Sequence, residues 1–226
     1  MTRRDVSIPT PDGSCDASLH TPEGAGPWPA VIMFPDAGGV RPTFHDMAQQ
    51  LADLGYAVLL PNVYYRVGDF EPFDMPSVFG DQAERDRLMA LVATVDKASA
   101  ARDTGAMLDF LAAQPEVADT KVGTTGYCMG GGLALTAAGH FPDRVGAAAS
   151  ARFRRGVLSR AYARVLTLSR FPRATFEELH GFASRGVSHS AGWCEHRSAG
   201  HYLVYPFHFA AVVLDTDFGL HRSSHP

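Results

Sequence analysis

The segment that most constrains the fold is the glycine-rich stretch at residues 126–132, which reads Gly-Tyr-Cys-Met-Gly-Gly-Gly. A strand-like run at 121–125 precedes it, and a helix-like run rich in Ala and Leu follows at 133–138. The pattern Gly-x-Cys-x-Gly between a strand and a helix is typical of a nucleophile elbow, a tight turn that presents a reactive side chain above the end of a sheet. We therefore predict a strand–turn–helix unit with Cys128 at its corner.

The position of Cys128 before a helix also predicts its chemistry. A helix N-terminus favours negative charge and so favours the thiolate form of a cysteine. The backbone N–H of Met129 is expected to point at the same spot and to serve as an oxyanion-hole donor. The alternative is a buried structural thiol in a glycine-rich turn, which is the commoner state of a cysteine outside a disulfide. The five glycines among residues 123–132 favour the elbow.

Composition narrows the classes of function. A chain of 226 residues, 46% of them hydrophobic, suits a single α/β domain over residues 1–226. Its net charge of −4 argues against a nucleic-acid or anionic-membrane surface, and it has no apolar run of membrane-spanning length. The first residues show no signal peptide, so we expect a cytoplasmic protein. Its three widely spaced cysteines make neither a disulfide framework nor a zinc pattern, and we expect no metal and no other cofactor.

The order of apolar runs predicts a mainly parallel sheet with helices on both faces. A hairpin is expected over residues 5–19. Continuous apolar runs predict strands buried on both faces, at 30–34, 56–60 and 145–149. Helical spacing of Leu and Met predicts helices between the strands, at 43–54, 81–95, 103–114 and 133–140. Active sites of such sheets lie beyond the carboxyl ends of the strands, where we expect the loops 35–40, 62–66 and 127–130 to converge.

The composition changes near Ser150. Residues 1–150 carry 10 Lys and Arg against 19 Asp and Glu, whereas residues 151–226 carry 10 basic side chains, all Arg, against five acidic ones. Seven of the ten histidines also lie in the second part. An ordinary basic lobe is one interpretation of residues 151–226, and a divergent tail is the other.

Three segments have distinctive patterns: 31–40, where an apolar strand runs into Pro-Asp; 55–66, which contains Pro-Asn-Val-Tyr-Tyr-Arg; and 122–131, with cysteine in the elbow where serine is usual. Through these segments, residues from about 6 to 150 resemble the dienelactone hydrolase family of α/β-hydrolases. The resemblance implies an α/β-hydrolase fold and a Cys-His-Asp triad that acts on an enol lactone.

The resemblance also implies roles for loop residues. Asp36 falls where the family has an acid that modulates the ionisation of the thiol, although the family more often has Glu there. Ala37 falls where the family supplies the second oxyanion-hole N–H. Arg66 and Arg85, with Arg87 as a further candidate, are predicted to bind a substrate carboxylate, because a guanidinium can grip it through two hydrogen bonds. The alternative for each arginine is an ordinary surface or structural charge.

The resemblance weakens where the other triad members belong. The loop after the strand-like run 163–168 offers no carboxylate, and the position that matches the catalytic Asp holds Arg173. The nearest acids, Glu177 and Glu178, are better interpreted as solvated residues at a helix start.

The catalytic base is predicted from order in the chain and local pattern, which rank His201 first. His180 and His208 are the alternatives. The final family helix is also missing, so the fold is predicted to be incomplete or divergent over 151–226. Either the tail has drifted, or it is read out of frame from a GC-rich gene. Translating the other two frames in search of an Asp and a His-Gly-Phe in family order tests the second hypothesis.

Taken together, the sequence predicts a hydrolase that cleaves an activated lactone or ester through Cys128, with a small-molecule substrate and a monomeric or weakly dimeric state. Two other classes remain open. One is an inactive or truncated hydrolase-fold protein, and the other is a binding or redox-sensing module in which Cys128 is oxidised or acylated without turnover.

Overall fold

The computed structural model describes residues 2–152 and a strand at 208–213. The strands in this part of the chain are β1 (Thr2–Thr10), β2 (Gly13–Thr21), β3 (Ala30–Phe34), β4 (Ala57–Pro61), β5 (Val122–Tyr127), β6 (Val145–Arg152) and β7 (His208–Val213). The helices are α1 (Pro42–Asp53), α2 (Gln82–Val92), α3 (Lys97–Ala112) and α4 (Met129–His140). The predicted run at 163–168 and the acids Glu177 and Glu178 lie outside the described residues.

The strands form one sheet in the order β1-β2-β4-β3-β5-β6-β7. The four central strands β4, β3, β5 and β6 run parallel to one another. The β1–β2 hairpin joins them through an antiparallel pairing of β2 with β4, and β7 pairs antiparallel with β6. The predicted α/β-hydrolase fold, a mainly parallel sheet with helices, is confirmed.

Helices cover both faces of the central sheet, and β3 shows how the sequence builds this arrangement. Successive side chains of a strand point to opposite faces. Ile32 and Phe34 therefore pack into the core shared with α3 and α4, whereas Val31 and Met33 pack against α1. All five residues of β3 are buried, as a continuous apolar run predicts for a central strand.

The site is positioned by the two neighbouring strands β3 and β5. The chain leaves β3 for α1 on one face, and it leaves β5 for α4 on the opposite face. Adjacent parallel strands whose following helices lie on opposite faces open a crevice at their carboxyl ends, which is where doubly wound proteins bind ligands. Ala37 follows β3 and Cys128 follows β5, so both predicted site segments lie at this crevice.

The predicted helix starts differ from the structure by one residue for α1 and α2, by four for α4, which begins at Met129, and by six for α3. Helix α3 begins at Lys97 and not at residue 103, because the side chain of Asp96 accepts hydrogen bonds from the N–H groups of Ala98 and Ser99 and so caps an earlier first turn. The apolar stripe did not reveal that turn, since its buried face includes polar residues such as Ser99. Helix α1 begins at Pro42, whose fixed backbone angle suits a first helical position.

Within residues 2–152, no helix combines the length and the hydropathy that a bilayer-spanning segment needs.

Candidate active site

The sharp turn predicted at Cys128 is present. Strand β5 ends at Tyr127 and helix α4 begins at Met129, so Cys128 alone joins them. Its backbone has φ 53° and ψ −111°, and it is the one non-glycine residue with positive φ in the described part of the chain. Such backbone strain typically costs about 1–3 kcal/mol and clusters at functional sites. The Cys128 side chain is exposed, which excludes the buried structural thiol.

The glycines of the elbow are required by close packing. A Cβ atom at Gly126 would overlap the carbonyl of Gly130, and one at Gly130 would overlap the carbonyls of Phe34 and Pro35. A Cβ at Gly131 would collide with the hydroxyl of Ser150. The first turn of α4 therefore rests directly on three strands of the sheet. The N–H of Cys128 donates to the carbonyl of Ala151 at 2.8 Å, which ties the corner to β6.

The two cysteines in the described residues have opposite environments. Cys15 is fully buried in β2, and burial is the main cause that raises the pKa of its thiol to about 12. Cys128, in contrast, is exposed at a helix N-terminus, the surroundings expected of a reactive thiol.

The acidic side chain of the β3–α1 loop is bound to an arginine. Arg41 binds Asp36 through both terminal nitrogens, at 2.7 Å to each carboxylate oxygen. The same carboxylate accepts a hydrogen bond from the N–H of Gly38 at 2.9 Å. Both charged side chains are mostly buried. Asp36 is thus held in place by the loop that it belongs to, and its predicted effect on the thiol stays a prediction.

Ala37 lies inside a tight turn of that loop. The N–H of Gly39 donates to the carbonyl of Asp36 at 3.0 Å and closes the turn around Ala37 and Gly38. Gly39 has φ 75°, a left-handed conformation that glycine adopts without strain.

Tyr64 links this loop to the elbow, and the sequence did not indicate that role. Its hydroxyl donates to the carbonyl of Ala37 at 2.9 Å and lies 3.5 Å from the Sδ of Met129. Burial raises the pKa of the Tyr64 hydroxyl well above its usual range, and negative charge at Asp36 and Cys128 adds to that rise. Only the predicted convergence of the loop 62–66 on the site pointed to this part of the chain.

Comparison with known proteins identifies the family. The model described as "Dienelactone hydrolase family" matches residues 15–153, more than half of the chain. The chain belongs to the dienelactone hydrolase family. The match ends close to the compositional change at Ser150.

Relatives and solved structures agree with this assignment. A carboxymethylenebutenolidase from Pseudomonas putida is 29% identical over 145 residues, covering 64% of this chain and 59% of the relative. A carboxymethylenebutenolidase from Rhodococcus opacus is 27% identical over 127 residues, covering 56% of this chain and 45% of the relative. A solved structure named m3DLH is similar with a TM-score of 0.51 at 29% identity, covering 61% of this chain and 53% of that one. The chain therefore spans about half the length of the relatives it matches.

Arg66, predicted to bind substrate, is engaged with carboxylates of the protein. It binds both oxygens of Asp103, at 2.8 and 2.7 Å, and donates twice to Asp12. Asp103 also accepts a hydrogen bond from the Tyr65 hydroxyl at 2.9 Å. Four of the five N–H donors of a guanidinium are used in this network. The geometry favours a structural role that ties the β1–β2 hairpin and α3 to the segment after β4.

The arginines of α2 contact the segment 62–80, which connects β4 to that helix. Arg85 donates to the carbonyl of Phe79, and also to Gln82 at 3.3 Å. Arg87 lies 3.7 Å from the centre of the Phe73 ring and donates to the carbonyl of Glu71 at 2.7 Å. Both side chains thus anchor this segment to α2, and substrate binding by Arg85 stays a prediction.

The remaining predicted triad positions lie outside the described residues. His201, His180 and Arg173 all fall there, and His208 belongs to β7, of which only the backbone is described. Among the residues that the structure describes, no group of three or more His, Cys, Asp or Glu side chains is arranged to hold a metal ion.

A groove of about 570 Å³ is lined by residues of β1, β2 and β4, by His45 of α1, and by Val40, Asn62 and Phe70 from the segments that follow β3 and β4. Cys128 is not among its lining residues.

Proposed function

We propose that this chain is a hydrolase of the dienelactone hydrolase type, which cleaves an activated lactone or ester with Cys128 as nucleophile. The observation that carries the proposal is the exposed thiol of Cys128 at a strained corner, φ 53°, between β5 and α4. Membership of the dienelactone hydrolase family supports the same chemistry.

The proposed reaction begins with attack of the Cys128 thiolate on the carbonyl carbon. A C–S bond forms, and the carbonyl electron pair moves onto the oxygen, where the N–H groups of Met129 and Ala37 stabilise the negative charge. Met129 is the first residue of α4, and its N–H is among those that a helix leaves without an intrahelical acceptor. The intermediate collapses when the ester C–O bond breaks, and the released oxygen takes up a proton.

Turnover requires hydrolysis of the resulting thioester. A general base removes a proton from water, the water oxygen attacks the acyl carbon, and the C–S bond breaks to regenerate the thiolate. His201 is the proposed base. A thiolate is both a good nucleophile and a good leaving group, which suits an activated ester such as an enol lactone better than an amide.

Incubation of the full chain with p-nitrophenyl acetate tests the proposal. We expect release of p-nitrophenolate that is lost in Cys128→Ala and retained in the matched variant Cys15→Ala, because Cys15 is buried. Steady turnover supports a complete hydrolase, whereas a single burst of one equivalent supports a truncated site that acylates without deacylating. Formation of a sulfenic acid at Cys128 under peroxide, with no acylation, contradicts the hydrolase and supports the redox module.

We also propose a cytoplasmic, monomeric or weakly dimeric state for this hydrolase. The absence of a disulfide or zinc pattern among its three cysteines supports the compartment. Size-exclusion chromatography with light scattering measures the oligomeric state, and a stable higher oligomer contradicts that part of the proposal.

A further inference from the structure

The hydroxyl of Tyr64 lies between the two segments that would supply the oxyanion-hole donors. It donates to the carbonyl of Ala37 at 2.9 Å and lies 3.5 Å from the Sδ of Met129. The side chain is only 1% exposed, so water does not compete for this hydroxyl as it would at the surface. This one buried hydroxyl therefore contacts both Ala37 and Met129, the two residues whose N–H groups would form the proposed oxyanion hole.

The backbone of Tyr64 is itself held firmly. Its N–H donates to the side-chain oxygen of Asn62 at 3.0 Å, and its carbonyl accepts from the N–H of Val67 at 2.8 Å. The ring packs edge-on against Phe70, with centroids 5.7 Å apart. Tyr64 thus connects a fixed backbone to the β3–α1 loop.

The hydrogen bonds around Ala37 show what the hydroxyl controls. The peptide between Ala37 and Gly38 is held at both ends: its carbonyl accepts from Tyr64, and its N–H donates to the Asp36 carboxylate at 2.9 Å. The peptide between Asp36 and Ala37 is held at its carbonyl by the N–H of Gly39. Since the C=O and N–H of a trans peptide point in opposite directions, the Gly39 bond sets the direction of the Ala37 N–H, and the Tyr64 bond fixes the adjoining peptide, so that the chain on either side of the Ala37 Cα is restrained.

Loss of the Tyr64 hydroxyl would free one of these constraints in a loop that contains two consecutive glycines, Gly38 and Gly39. Glycine is the residue with the widest range of backbone angles, so the loop has little intrinsic stiffness to hold Ala37 without the hydrogen bond. The Ala37 carbonyl would also lose its hydrogen-bond donor, which favours rotation of the peptide toward another partner.

We propose that Tyr64 is a positioning residue that holds the Ala37 N–H in line with the Met129 N–H and so sets the geometry of the oxyanion hole. This inference rests on the proposed hydrolase function and extends it to a residue that does not touch the reacting atoms.

The test compares two reactions of the same thiol in Tyr64→Phe. Acylation by p-nitrophenyl acetate passes through an oxyanion, whereas alkylation by iodoacetamide displaces iodide from a saturated carbon and needs no oxyanion hole. Stopped-flow release of p-nitrophenolate measures the first rate, and mass spectrometry of Cys128 measures the second. Tyr65→Phe is the matched control, because the neighbouring Tyr65 hydroxyl is also hydrogen-bonded, at 2.9 Å to Asp103, but away from Ala37.

We expect Tyr64→Phe to acylate at least about tenfold more slowly, toward the ~10²–10³-fold loss that deletion of an oxyanion-hole donor causes. Alkylation of Cys128 should stay within about twofold of the parent chain, and Tyr65→Phe should match the parent in both reactions. Equal acylation rates in Tyr64→Phe and the parent overturn the inference. Equal slowing of acylation and alkylation also overturns it, because the hydroxyl would then act on the thiol or on the fold. Failure of the parent chain itself to acylate overturns the proposed function, a result distinct from either of these.

Discussion

Arg41 binds Asp36 through a two-point ion pair at 2.7 Å beside the elbow, with both side chains less than one-fifth exposed. The pair connects residues that are close in the chain. The Asp36 carboxylate also accepts a hydrogen bond from the N–H of Gly38, so the ion pair restrains the backbone of the loop. The site therefore carries an acidic group whose position is determined by Arg41.

Substitution of Arg41 tests how far the loop depends on this pair. Arg41→Met removes the guanidinium charge and leaves the mostly buried Asp36 carboxylate without its ion-pair partner. We expect this change to lower the free energy of unfolding by about 1–3 kcal/mol. Acylation of Cys128 should also slow, because Asp36 orients the peptide that follows Ala37. Urea unfolding and the acylation rate measure the two effects. Arg3→Met is the control, since Arg3 pairs with Asp5 at the exposed edge, and a loss as large as that of Arg41→Met would contradict the account.

Gly130 and Gly132 of α4 have different surroundings, so their substitution by alanine should have different effects on stability. Gly130→Ala places a Cβ against the carbonyls of Phe34 and Pro35, and the backbone must move to accept it. We expect a loss of about 1–3 kcal/mol or more, because overpacking that shifts main chain typically costs this much. Gly132→Ala meets nothing within 4 Å and should be neutral or stabilising by up to about 1 kcal/mol. Thermal melting of the two variants measures both changes. Similar losses of stability in Gly130→Ala and Gly132→Ala would show that close packing around Gly130 is not the cause.

Two histidines meet where β2 packs against α1, and they predict a dependence of stability on pH. The Nε2 of His20 and the Nδ1 of His45 lie 3.4 Å apart, and the hydroxyl of Ser18 lies within 3.1 Å and 3.4 Å of them. Burial is the main cause that lowers the pKa of both imidazoles below 6.5. Below about pH 6.5 the unfolded chain therefore binds protons that the folded chain does not.

The sign of the effect follows from these depressed pKa values. The folded chain should lose stability as pH falls from about 6.5 through the folded-state pKa values, and this loss should be absent at higher pH. His45→Gln should flatten that part of the curve, because it removes one of the two imidazoles whose pKa is lowered in the folded chain. Urea midpoints between pH 5 and pH 8 measure the slope. A flat curve in the parent chain would rule out the interpretation.

Substitution of Arg66 distinguishes a structural role for this residue from a role in substrate binding. Arg66→Lys keeps the charge but cannot bind both oxygens of Asp103 in the same fork, so we expect a loss of about 1–3 kcal/mol in the free energy of unfolding. The KM of a chromogenic ester should change little. Arg85→Lys should alter stability by less than about 1 kcal/mol, because Arg85 bonds only to the nearby Phe79 and Gln82 among the contacts described for it. A KM raised tenfold or more for a carboxylated ester, with unchanged stability, would restore Arg66 as a substrate-binding residue.

What the sequence predicted well was local. The elbow followed from glycine spacing within residues 126–132, since a turn that tight restricts its own few residues, and the buried strand at 30–34 followed from one apolar run. What it missed joins distant parts of the chain. Tyr64 meets Ala37 across 27 positions, and Arg66 meets Asp103 across 37, so no short pattern reveals either contact. The start of α3 was missed because polar side chains share its buried face.

The most direct test of the central claim is to locate the acyl group after a brief reaction of the full chain with p-nitrophenyl acetate and an acid quench. The account predicts, by peptide mass spectrometry, one acetyl group on Cys128 in the parent chain and none at that position in Cys128→Ala. An acetyl group found only on other residues, or none at all while the thiol of Cys128 still reacts with iodoacetamide, would contradict it.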